Sequence, residues 1–228
     1  LHRVDRRQRQ MCIRDRVGTE IFLLRHAESI ANKEGILAGQ TSGVVLTEEG
    51  ERQASSAAQY LSEIDFDLII SSPLDRCLQT LDPIVKSKGK EILVDDRLIE
   101  MNYGNWSGKK LRTLGRYALW SEIQRHPSAV RFPEGESFME MLLRVNEVLN
   151  EIPQHSAKVL ICTHGDIIKV LINHHVGNHL DNFQRLAIST ASISRLYRSP
   201  NGWTVRSFNE PTTRGINRKI TTELGGGR

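Results

Sequence analysis

Arginine and histidine side chains follow three separate apolar runs of this sequence, at or just after the point where each run ends. Arg25 and His26 close the first run, Arg76 follows the second after a short turn, and His164 closes the third. A guanidinium group binds oxyanions through paired hydrogen bonds, and an imidazole can act as a nucleophile or move a proton. A lone Arg-His pair at a strand end is more often structural, so these residues indicate chemistry only if the fold brings them together.

The three apolar runs are predicted to be strands of one buried sheet. They cover residues 20–24, 67–71 and 158–163 and are apolar enough to be buried on both faces. A helical pattern follows each run. This alternation predicts an α/β fold with a mostly parallel central sheet flanked by helices. Because ligands bind beyond the carboxyl ends of parallel strands, we expect the arginine and histidine side chains to converge at that edge.

Capping residues, glycines and prolines divide the rest of the chain. Residues 27–43 have no helical or strand period and contain three glycines, which predicts a loop. Thr47 and Ser137 are predicted helix N-caps, and Ser137 forms a capping box with Glu140. The other predicted elements are helices at about 74–87, 111–126 and 167–175, a short strand at 92–94, and a strand pair at 193–197 and 204–208.

The composition is that of an ordinary globular protein with unevenly placed charge. Of the 228 residues, 39% are hydrophobic and 25% charged, and no apolar run approaches the roughly 18–20 residues of a membrane helix. The net charge is +4, but residues 1–16 carry +4 and residues 211–228 carry +3, which leaves −3 for the body. A nucleic-acid groove needs positive charge on the folded surface. We therefore expect no nucleic-acid partner and no membrane partner.

Both basic ends are predicted to lie outside the folded domain. Residues 1–16 have almost no apolar periodicity, and residues 11–16 match the translation of a common transposase sequencing adapter, so we expect a non-native or disordered leader. Residues 211–228 end in Gly-Gly-Gly-Arg, which is typical of a flexible tail. The domain is therefore predicted to span residues 17–210. Three cysteines without close pairing favour the reducing cytoplasm.

An ordered set of motifs resembles the histidine phosphatase superfamily, also called the phosphoglycerate mutase-like family. The set spans residues 21 to about 197, and its spacing is similar to that of a short bacterial branch of phosphomutases and phosphatases. Ala27 departs from the family's usual Arg-His-Gly signature. The motifs are Leu24-Arg25-His26-Ala27-Glu28-Ser29 with Asn32, Leu46-Thr47-Glu48-Glu49-Gly50 with Gln53-Ala54, Ser71-Ser72-Pro73-Leu74-Asp75-Arg76 with Gln79-Thr80, Leu98 with Glu100, Tyr103-Gly104, Trp106-Ser107-Gly108, Phe132-Pro133-Glu134-Gly135-Glu136-Ser137, and Thr163-His164-Gly165-Asp166.

The resemblance implies phosphoryl transfer through a covalent intermediate on a histidine. A neutral imidazole avoids the repulsion between a phosphomonoester dianion and an anionic nucleophile, so His26 would attack phosphorus and form a phosphohistidine. Arg25 and Arg76 would bind the phosphoryl oxygens, and a protonated His164 would add a further cation. These groups can replace a metal ion, so neither a metal nor another cofactor is implied.

Proton transfer and substrate binding are assigned to further residues. The resemblance makes Glu100 the general acid, and later the base that activates water, with Glu28 as its rival. Glu100 lies in a stretch rich in glycine and aromatic residues, which predicts a packed loop that fixes its carboxylate. Ser137 is equally explained as a helix cap. The residues expected to bind substrate are Asn32, Glu136, Ser137 and Gly165.

The leading hypothesis is a metal-independent hydrolase of a small phosphorylated metabolite, active as a monomer or homodimer. The alternatives are a phosphomutase of the phosphoglycerate mutase type, a phosphohistidine-protein phosphatase, and an inactive phosphate-binding protein. The short span between the second strand and His164 favours hydrolysis over mutase chemistry. A predicted helical lid at about residues 102–155 disfavours a protein substrate. The presence of both arginines and both histidines disfavours an inactive protein.

Overall fold

A computed structural model describes residues 18–212, and its centre is one six-stranded sheet. The strand order is β3-β2-β4-β1-β5-β6. β1, β2, β3 and β4 pair in parallel, and β5 and β6 add an antiparallel edge. The strands are β1 (Thr19–Arg25), β2 (Leu68–Ser71), β3 (Leu93–Val94), β4 (Lys158–Thr163), β5 (Ser192–Ser199) and β6 (Gly202–Pro211). The predicted mostly parallel α/β fold is confirmed.

Seven α-helices and four short 3₁₀ helices connect the strands within residues 18–212. The α-helices are α1 (Ile30–Glu34), α2 (Glu48–Tyr60), α3 (Asp75–Lys88), α4 (Leu111–Leu114), α5 (Ala118–Arg125), α6 (Phe138–Glu151) and α7 (Gly165–His175). The 3₁₀ helices are Asp96–Leu98, Gly104–Trp106, Pro127–Ala129 and Leu180–Arg185. The predicted caps Thr47 and Ser137 are both present, since each side chain accepts a hydrogen bond from the third backbone N–H that follows it.

The core lies on both faces of the sheet, because successive side chains of a strand point to opposite faces. In β1, Ile21 and Leu23 join the larger cluster together with residues of α6 and α7. Phe22 and Leu24 join a second cluster with residues of α2 and α3. Burial on both faces explains why these strands read as continuous apolar runs. The polar side chains that follow these buried strands lie at the strand ends.

Two predicted elements differ from the structure. The predicted loop at 27–43 contains α1, a five-residue helix started by a capping box between Ser29 and Asn32 and ended by Gly35 in the left-handed conformation. A helix of little more than one turn is too short to show a period in the sequence. The predicted helix at 111–126 is divided into α4 and α5, with Gly115 after the first part.

The predicted lid is helical, but its last helix belongs to the core. The buried side of α6 packs in the larger cluster against the sheet and α7. At the start of the predicted lid, the chain around Lys109 pairs with the chain around Leu37. Leu37 N donates to Lys109 O at 2.9 Å, and Gly108 N donates to Leu37 O at 2.8 Å.

The folded domain extends two residues further than predicted. β6 ends at Pro211, which pairs with Ser192 of β5. Thr212 is buried, and its hydroxyl donates to Ala191 O at 2.7 Å. The remainder of the predicted tail, residues 213–228, and the predicted leader, residues 1–16, lie outside the described residues. Among residues 18–212, none of the helices has the length and apolar composition needed to cross a bilayer.

Candidate active site

The strand ends bring four side chains together, and we call Arg25, His26, Arg76 and His164 the strand-end group. Arg25 is the last residue of β1 and lies level with Thr163, the last residue of β4, so His26 and His164 follow at the same height of the sheet. Their ring centroids are 5.2 Å apart. Arg76 reaches the same edge from the first turn of α3. All four side chains are buried.

His26 is held as a neutral imidazole with a defined proton position. Its Nδ1 lies 2.7 Å from the backbone oxygen of Ala27, which can only accept, so Nδ1 carries the proton and Nε2 keeps its lone pair. Burial, followed by the positive charges of Arg76 and Arg25, lowers the pKa of His26 well below 6.5. The unprotonated Nε2 is therefore available as a nucleophile at neutral pH.

The two guanidinium groups of the site each use part of their hydrogen-bonding capacity on backbone oxygens. Arg25 Nη1 donates to Ile188 O at 2.7 Å, and Arg76 Nη2 donates to Gly39 O at 2.8 Å. Arg76 Nη1 is buried and has no hydrogen-bond partner among the described residues. A buried donor of this kind is costly unless a ligand accepts from it. An oxyanion in the cleft would supply that acceptor.

The charge state of the buried His164 ring depends on its surroundings. Burial, with Arg76 as the largest charge effect, lowers its pKa well below 6.5, so the ring is neutral rather than cationic. Its Nε2 lies 2.7 Å from Ser72 Oγ, at the end of β2, and 3.6 Å from Cys77 Sγ in α3. These contacts fix the orientation of the His164 ring relative to the other three side chains of the strand-end group.

Glu100 reaches the site from the acid loop, which we define as residues 99–102. Its Oε2 lies 4.0 Å from His164 Nδ1, and its Oε1 accepts from Met101 N at 3.0 Å. Burial, followed by the negative charge of Asp166, raises the pKa of Glu100 to about 8. The carboxyl group is therefore protonated at neutral pH and can act as a proton donor.

Alanine fits at the position where the family usually has glycine. The φ angle of Ala27 is not positive, and the residue is fully buried beside Leu46, Ala54 and Ala191. Its N–H donates to Thr80 Oγ1 at 2.9 Å. The backbone conformation at this position therefore does not require glycine.

A small cleft lies between the strand-end group and the acid loop. Among the residues predicted to bind substrate, Asn32 lines it, but its side-chain oxygen accepts from Ser29 within the capping box of α1. Its amide NH₂ group remains for a substrate. The lining residues are His26, Ser29, Asn32, Ile36, Ala38, Gly39, Arg76, Glu100 and Tyr103.

The other predicted substrate-binding residues have structural contacts outside this lining. Glu136 pairs with Arg144 at 2.7 Å, and Ser137 caps α6. Gly165 begins α7, and a Cβ added there would lie 3.3 Å from Arg25 Nε, so its lack of a side chain makes room for the guanidinium group. The rival acid Glu28 accepts a hydrogen bond from Thr47 Oγ1 at 2.8 Å and does not line the cleft.

Two buried contacts of Asp166 lie behind the site, and no motif or period in the sequence predicts them. Tyr103 lines the cleft, and its hydroxyl donates to Asp166 Oδ2 at 2.6 Å. Lys169 lies 3.8 Å from Asp166, and burial lowers the pKa of its ammonium group to about 8. A further contact comes from Arg144 of α6, which donates hydrogen bonds to backbone oxygens of the acid loop. The available signal for Lys169 was a charged residue inside an otherwise apolar helical pattern, whereas Arg144 stands in an amphipathic helix with other polar residues and has no such signal.

No group of three or more His, Cys, Asp or Glu side chains within residues 18–212 is arranged to hold a metal ion. His174 and His175 lie at the far end of α7, where His175 stacks on Trp203 with ring centroids 4.7 Å apart.

Comparison with known proteins links this geometry to one family. The model of the histidine phosphatase superfamily (branch 1) matches residues 21–211. A protein of Erwinia tasmaniensis named "Probable phosphoglycerate mutase GpmB" is 31% identical over 193 residues, covering 81% of this chain and 87% of that protein. A protein of the same name from Cronobacter sakazakii is 32% identical over 199 residues, covering 82% and 91%.

Solved structures share the fold. The alpha-ribazole phosphatase from Shigella flexneri superposes with a TM-score of 0.76 at 23% identity, covering 88% of this chain and 100% of that one. A mycobacterial glucosyl-3-phosphoglycerate phosphatase in complex with VO₃ superposes with a TM-score of 0.74 at 25% identity, covering 84% and 99%.

Proposed function

Because this chain belongs to the histidine phosphatase superfamily, we propose that it hydrolyses a small phosphorylated metabolite, without a metal ion, through a phosphoenzyme on His26. The family membership that its motifs predicted is confirmed. The observation that carries the proposal is the pairing of an unprotonated His26 Nε2 with a protonated Glu100 at one cleft that also contains Arg76. A nucleophile, an acid and a phosphate-binding cation are the groups that phosphomonoester cleavage needs.

The first step forms the phosphoenzyme. The phosphoryl oxygens bind Arg25 and Arg76, and His26 Nε2 attacks phosphorus opposite the leaving oxygen. The bond between phosphorus and the leaving oxygen breaks with its electron pair, and that oxygen takes the proton of the Glu100 carboxyl group. The alcohol leaves, and Glu100 remains as a carboxylate.

The second step returns the enzyme to its starting state. The Glu100 carboxylate accepts a proton from water as the water oxygen attacks phosphorus. The phosphorus–nitrogen bond breaks, and its electron pair returns to His26 Nε2. Inorganic phosphate is released, His26 is again neutral, and Glu100 is again protonated.

A bound phosphate dianion changes the charge balance at His164. In the free protein, burial and the positive charge of Arg76 lower the pKa of this ring. The dianion offsets the arginine charge and favours the imidazolium form. We therefore propose that His164 gains a proton when substrate binds and then stabilises the negative charge on the phosphoryl oxygens.

The lining of the cleft supports a leaving group that carries little charge. Around the phosphate position lie Ser29, Asn32, Ile36, Ala38 and Tyr103, all uncharged. Within the described lining Arg76 is the only basic side chain besides the histidine nucleophile. A phosphoglycerate mutase must hold a carboxylate and a second phosphoester, so this lining favours hydrolysis.

The second candidate function is phosphomutase activity, which the names of the two bacterial relatives support. Hydrolysis and mutase chemistry share the first step and differ in what removes the phosphoryl group from His26. In a mutase, a second substrate hydroxyl takes it, and the phosphoenzyme must resist water in the meantime. The lifetime of the phosphoenzyme therefore separates the two functions.

The test is a panel of metabolite phosphates incubated with the full chain in EDTA, beside His26→Ala. We expect phosphate release that does not need a divalent ion and that falls by roughly 10⁴- to 10⁶-fold in His26→Ala, as when other nucleophiles are removed. Release that requires a divalent metal, or that survives the substitution, contradicts the mechanism. A phosphoenzyme that persists in water and transfers its phosphoryl group to a phosphoglycerate would establish the mutase instead.

Domain organisation and cellular location complete the proposal. We assign catalysis to the unit formed by residues 18–212, in a chain that acts as a monomer or homodimer. Cys77 and Cys162 are free and buried, which supports a reducing compartment such as the cytoplasm. Light scattering of the purified full chain distinguishes the two oligomeric states.

A further inference from the structure

The acid loop lies outside the strands, and one side chain of α6 binds it and the chain that leads to it at several points. Arg144 Nη1 donates to Arg97 O at 2.5 Å and to Ile99 O at 2.8 Å. Its Nη2 donates to Glu100 O at 3.3 Å. The guanidinium group therefore binds the backbone oxygens of two residues that precede Glu100 in the chain and the backbone oxygen of Glu100 itself.

The same guanidinium group is held from its other side by Glu136. Arg144 Nε donates to Glu136 Oε2 at 3.0 Å, and Arg144 Nη2 donates to Glu136 Oε1 at 2.7 Å. Glu136 Oε1 also accepts from Asn102 N at 2.8 Å, just after Glu100 in the chain. The side chains of the pair are only 19% and 15% exposed, so water competes little for these bonds. The paired side chains thus bind the acid loop before and after its catalytic carboxyl group.

We propose that Arg144 and Glu136 form a positioning pair that keeps the Glu100 carboxyl group at the distance and angle needed for proton transfer to the leaving oxygen. This inference rests on the proposed function, because it assigns Glu100 as the acid. Neither residue of the pair lines the cleft, so neither is itself catalytic. The pair accounts for the Glu136 motif without a substrate contact.

The geometry requires an arginine rather than any cation. Three carbonyl oxygens and a bidentate carboxylate surround one planar group, and the fork of a guanidinium supplies donors in all of these directions. A lysine ammonium has three donors at one point and cannot reach both sides. Gln40 adds one more bond to the loop, from Nε2 to Glu100 O at 2.9 Å, but it does not bind the chain on either side of Glu100.

The kinetic test compares two leaving groups. p-Nitrophenolate leaves with little help from an acid, whereas the alkoxide of an alkyl phosphate needs a proton. The value of kcat/KM reports on the steps from free enzyme and free substrate to the phosphoenzyme. The alkyl phosphate is the best substrate found in the metabolite panel. For this substrate we expect Arg144→Met to lower kcat/KM by about 10²-fold, because a catalytic group displaced by about 1 Å usually costs this much. For p-nitrophenyl phosphate we expect a loss below about tenfold.

Conservative and control variants separate positioning from a loss of folding. Arg144→Lys and Glu136→Gln keep most of the packing and should show the same selective loss to a smaller degree. Arg125→Gln removes an exposed arginine of α5 and should leave kcat/KM unchanged for both substrates. Thermal unfolding of each variant shows whether the chain is folded under the assay conditions. If Arg144→Met does not fold, the two conservative variants carry the comparison.

A second measurement does not depend on activity. The N–H groups of Met101 and Asn102 are bonded to the Glu100 and Glu136 carboxyl groups, so their hydrogen exchange should become faster in the Arg144 and Glu136 variants. The inference is wrong if these amides exchange at the wild-type rate in folded variants, or if both substrates lose the same factor. Failure of the proposed function has a different signature, which is wild-type hydrolysis that survives His26→Ala.

Discussion

The strand-end group and the acid loop meet at one cleft, but they are held by different means. His26 is fixed through its backbone: its N–H donates to Thr163 O at 2.9 Å, and its carbonyl accepts from Ala191 N at 3.2 Å. Glu100 is fixed mainly through side chains, because Arg144 and Gln40 donate to its backbone oxygen. The proposed nucleophile is therefore held by the backbone at the sheet edge, and the proposed acid depends on a few side-chain contacts.

The difference divides the catalytic tasks. Phosphate binding and nucleophilic attack are common to every phosphomonoester, and they are assigned to the sheet edge. Protonation depends on the leaving group, and it is assigned to a loop that substitutions can shift without disturbing the sheet. Changes in the strand-end group should therefore affect all substrates alike, and changes at the acid loop should affect substrates according to their leaving groups.

The largest selective effect is expected for Glu100→Gln. Glutamine keeps the shape of the protonated carboxyl group but cannot give up a proton, so kcat/KM for an alkyl phosphate should fall by roughly 10²- to 10⁴-fold. Hydrolysis of p-nitrophenyl phosphate should fall far less. Steady-state kinetics with both substrates at pH 7 measures the ratio. An equal loss for the two substrates would remove the distinction between the two regions.

The matching change in the strand-end group is Arg76→Lys. Lysine retains the charge but loses the paired donors, including the one that binds Gly39 O, so kcat/KM should fall by about 10²- to 10³-fold. Because phosphate binding does not depend on the leaving group, the loss should be the same for alkyl and p-nitrophenyl phosphates. A strongly unequal loss would show that Arg76 also acts in protonation.

The contributions of the two regions to the free energy of unfolding should also change with pH in opposite directions. The pKa of Glu100 is raised from 4.5 to about 8, so its contribution to stability is complete below about pH 4.5 and is lost as the pH rises through about 8. The pKa of His164 is lowered well below 6.5, so its contribution is present above pH 6.5 and is lost as the pH falls through the lowered value. Each unit of difference in pKa corresponds to about 1.4 kcal/mol.

Urea unfolding of variants across this pH range separates the two contributions. Relative to wild type, Glu100→Gln should become more stable as the pH rises toward 8, because glutamine has no proton to lose. His164→Gln should gain relative stability as the pH falls below 6.5. Parallel stability curves for wild type and either variant would contradict the assigned pKa shift.

The smallest effect is expected where the sequence departs from the family signature. Ala27→Gly restores the usual residue at a position whose φ is not positive, so it relieves no strain. The change should lower the free energy of unfolding by about 1–2 kcal/mol, because glycine gives the unfolded chain more freedom and the buried methyl group is lost. Activity should stay close to wild type. A large gain in kcat/KM would show that the alanine methyl group crowds the strand-end group.

The same comparison explains what the sequence could predict. The strand-end group was predictable because buried strands read as apolar runs, and parallel strands bring their carboxyl ends to one edge. The register of β1 and β4, with Arg25 opposite Thr163, was not predictable in this way, because strands that are buried on both faces have no alternating pattern to fix it. The family motifs supplied the role of Glu100, since no periodic pattern places a residue in an irregular loop.

The remaining parts of the site depend on side-chain contacts between distant segments. Arg144 follows Glu136 by eight residues, and nothing in that spacing shows that both reach the chain around Glu100. The contact of Gly165 with Arg25 depends in the same way on how α7 packs beside β1. Predicting that His164 is neutral requires knowing that the ring is buried and which charged side chains surround it. The order of residues in the sequence does not provide this information.

In the proposed mechanism, the hydrogen bond from His26 Nδ1 to Ala27 O also determines which regioisomer of phosphohistidine can form. With Nδ1 occupied, the phosphoryl group attaches to Nε2, which gives the τ isomer rather than the π isomer. A phosphoramidate of this kind survives alkali and is cleaved by acid. An intermediate trapped from this enzyme therefore has to be quenched and digested at high pH, and its ³¹P resonance identifies the nitrogen that carried the phosphoryl group.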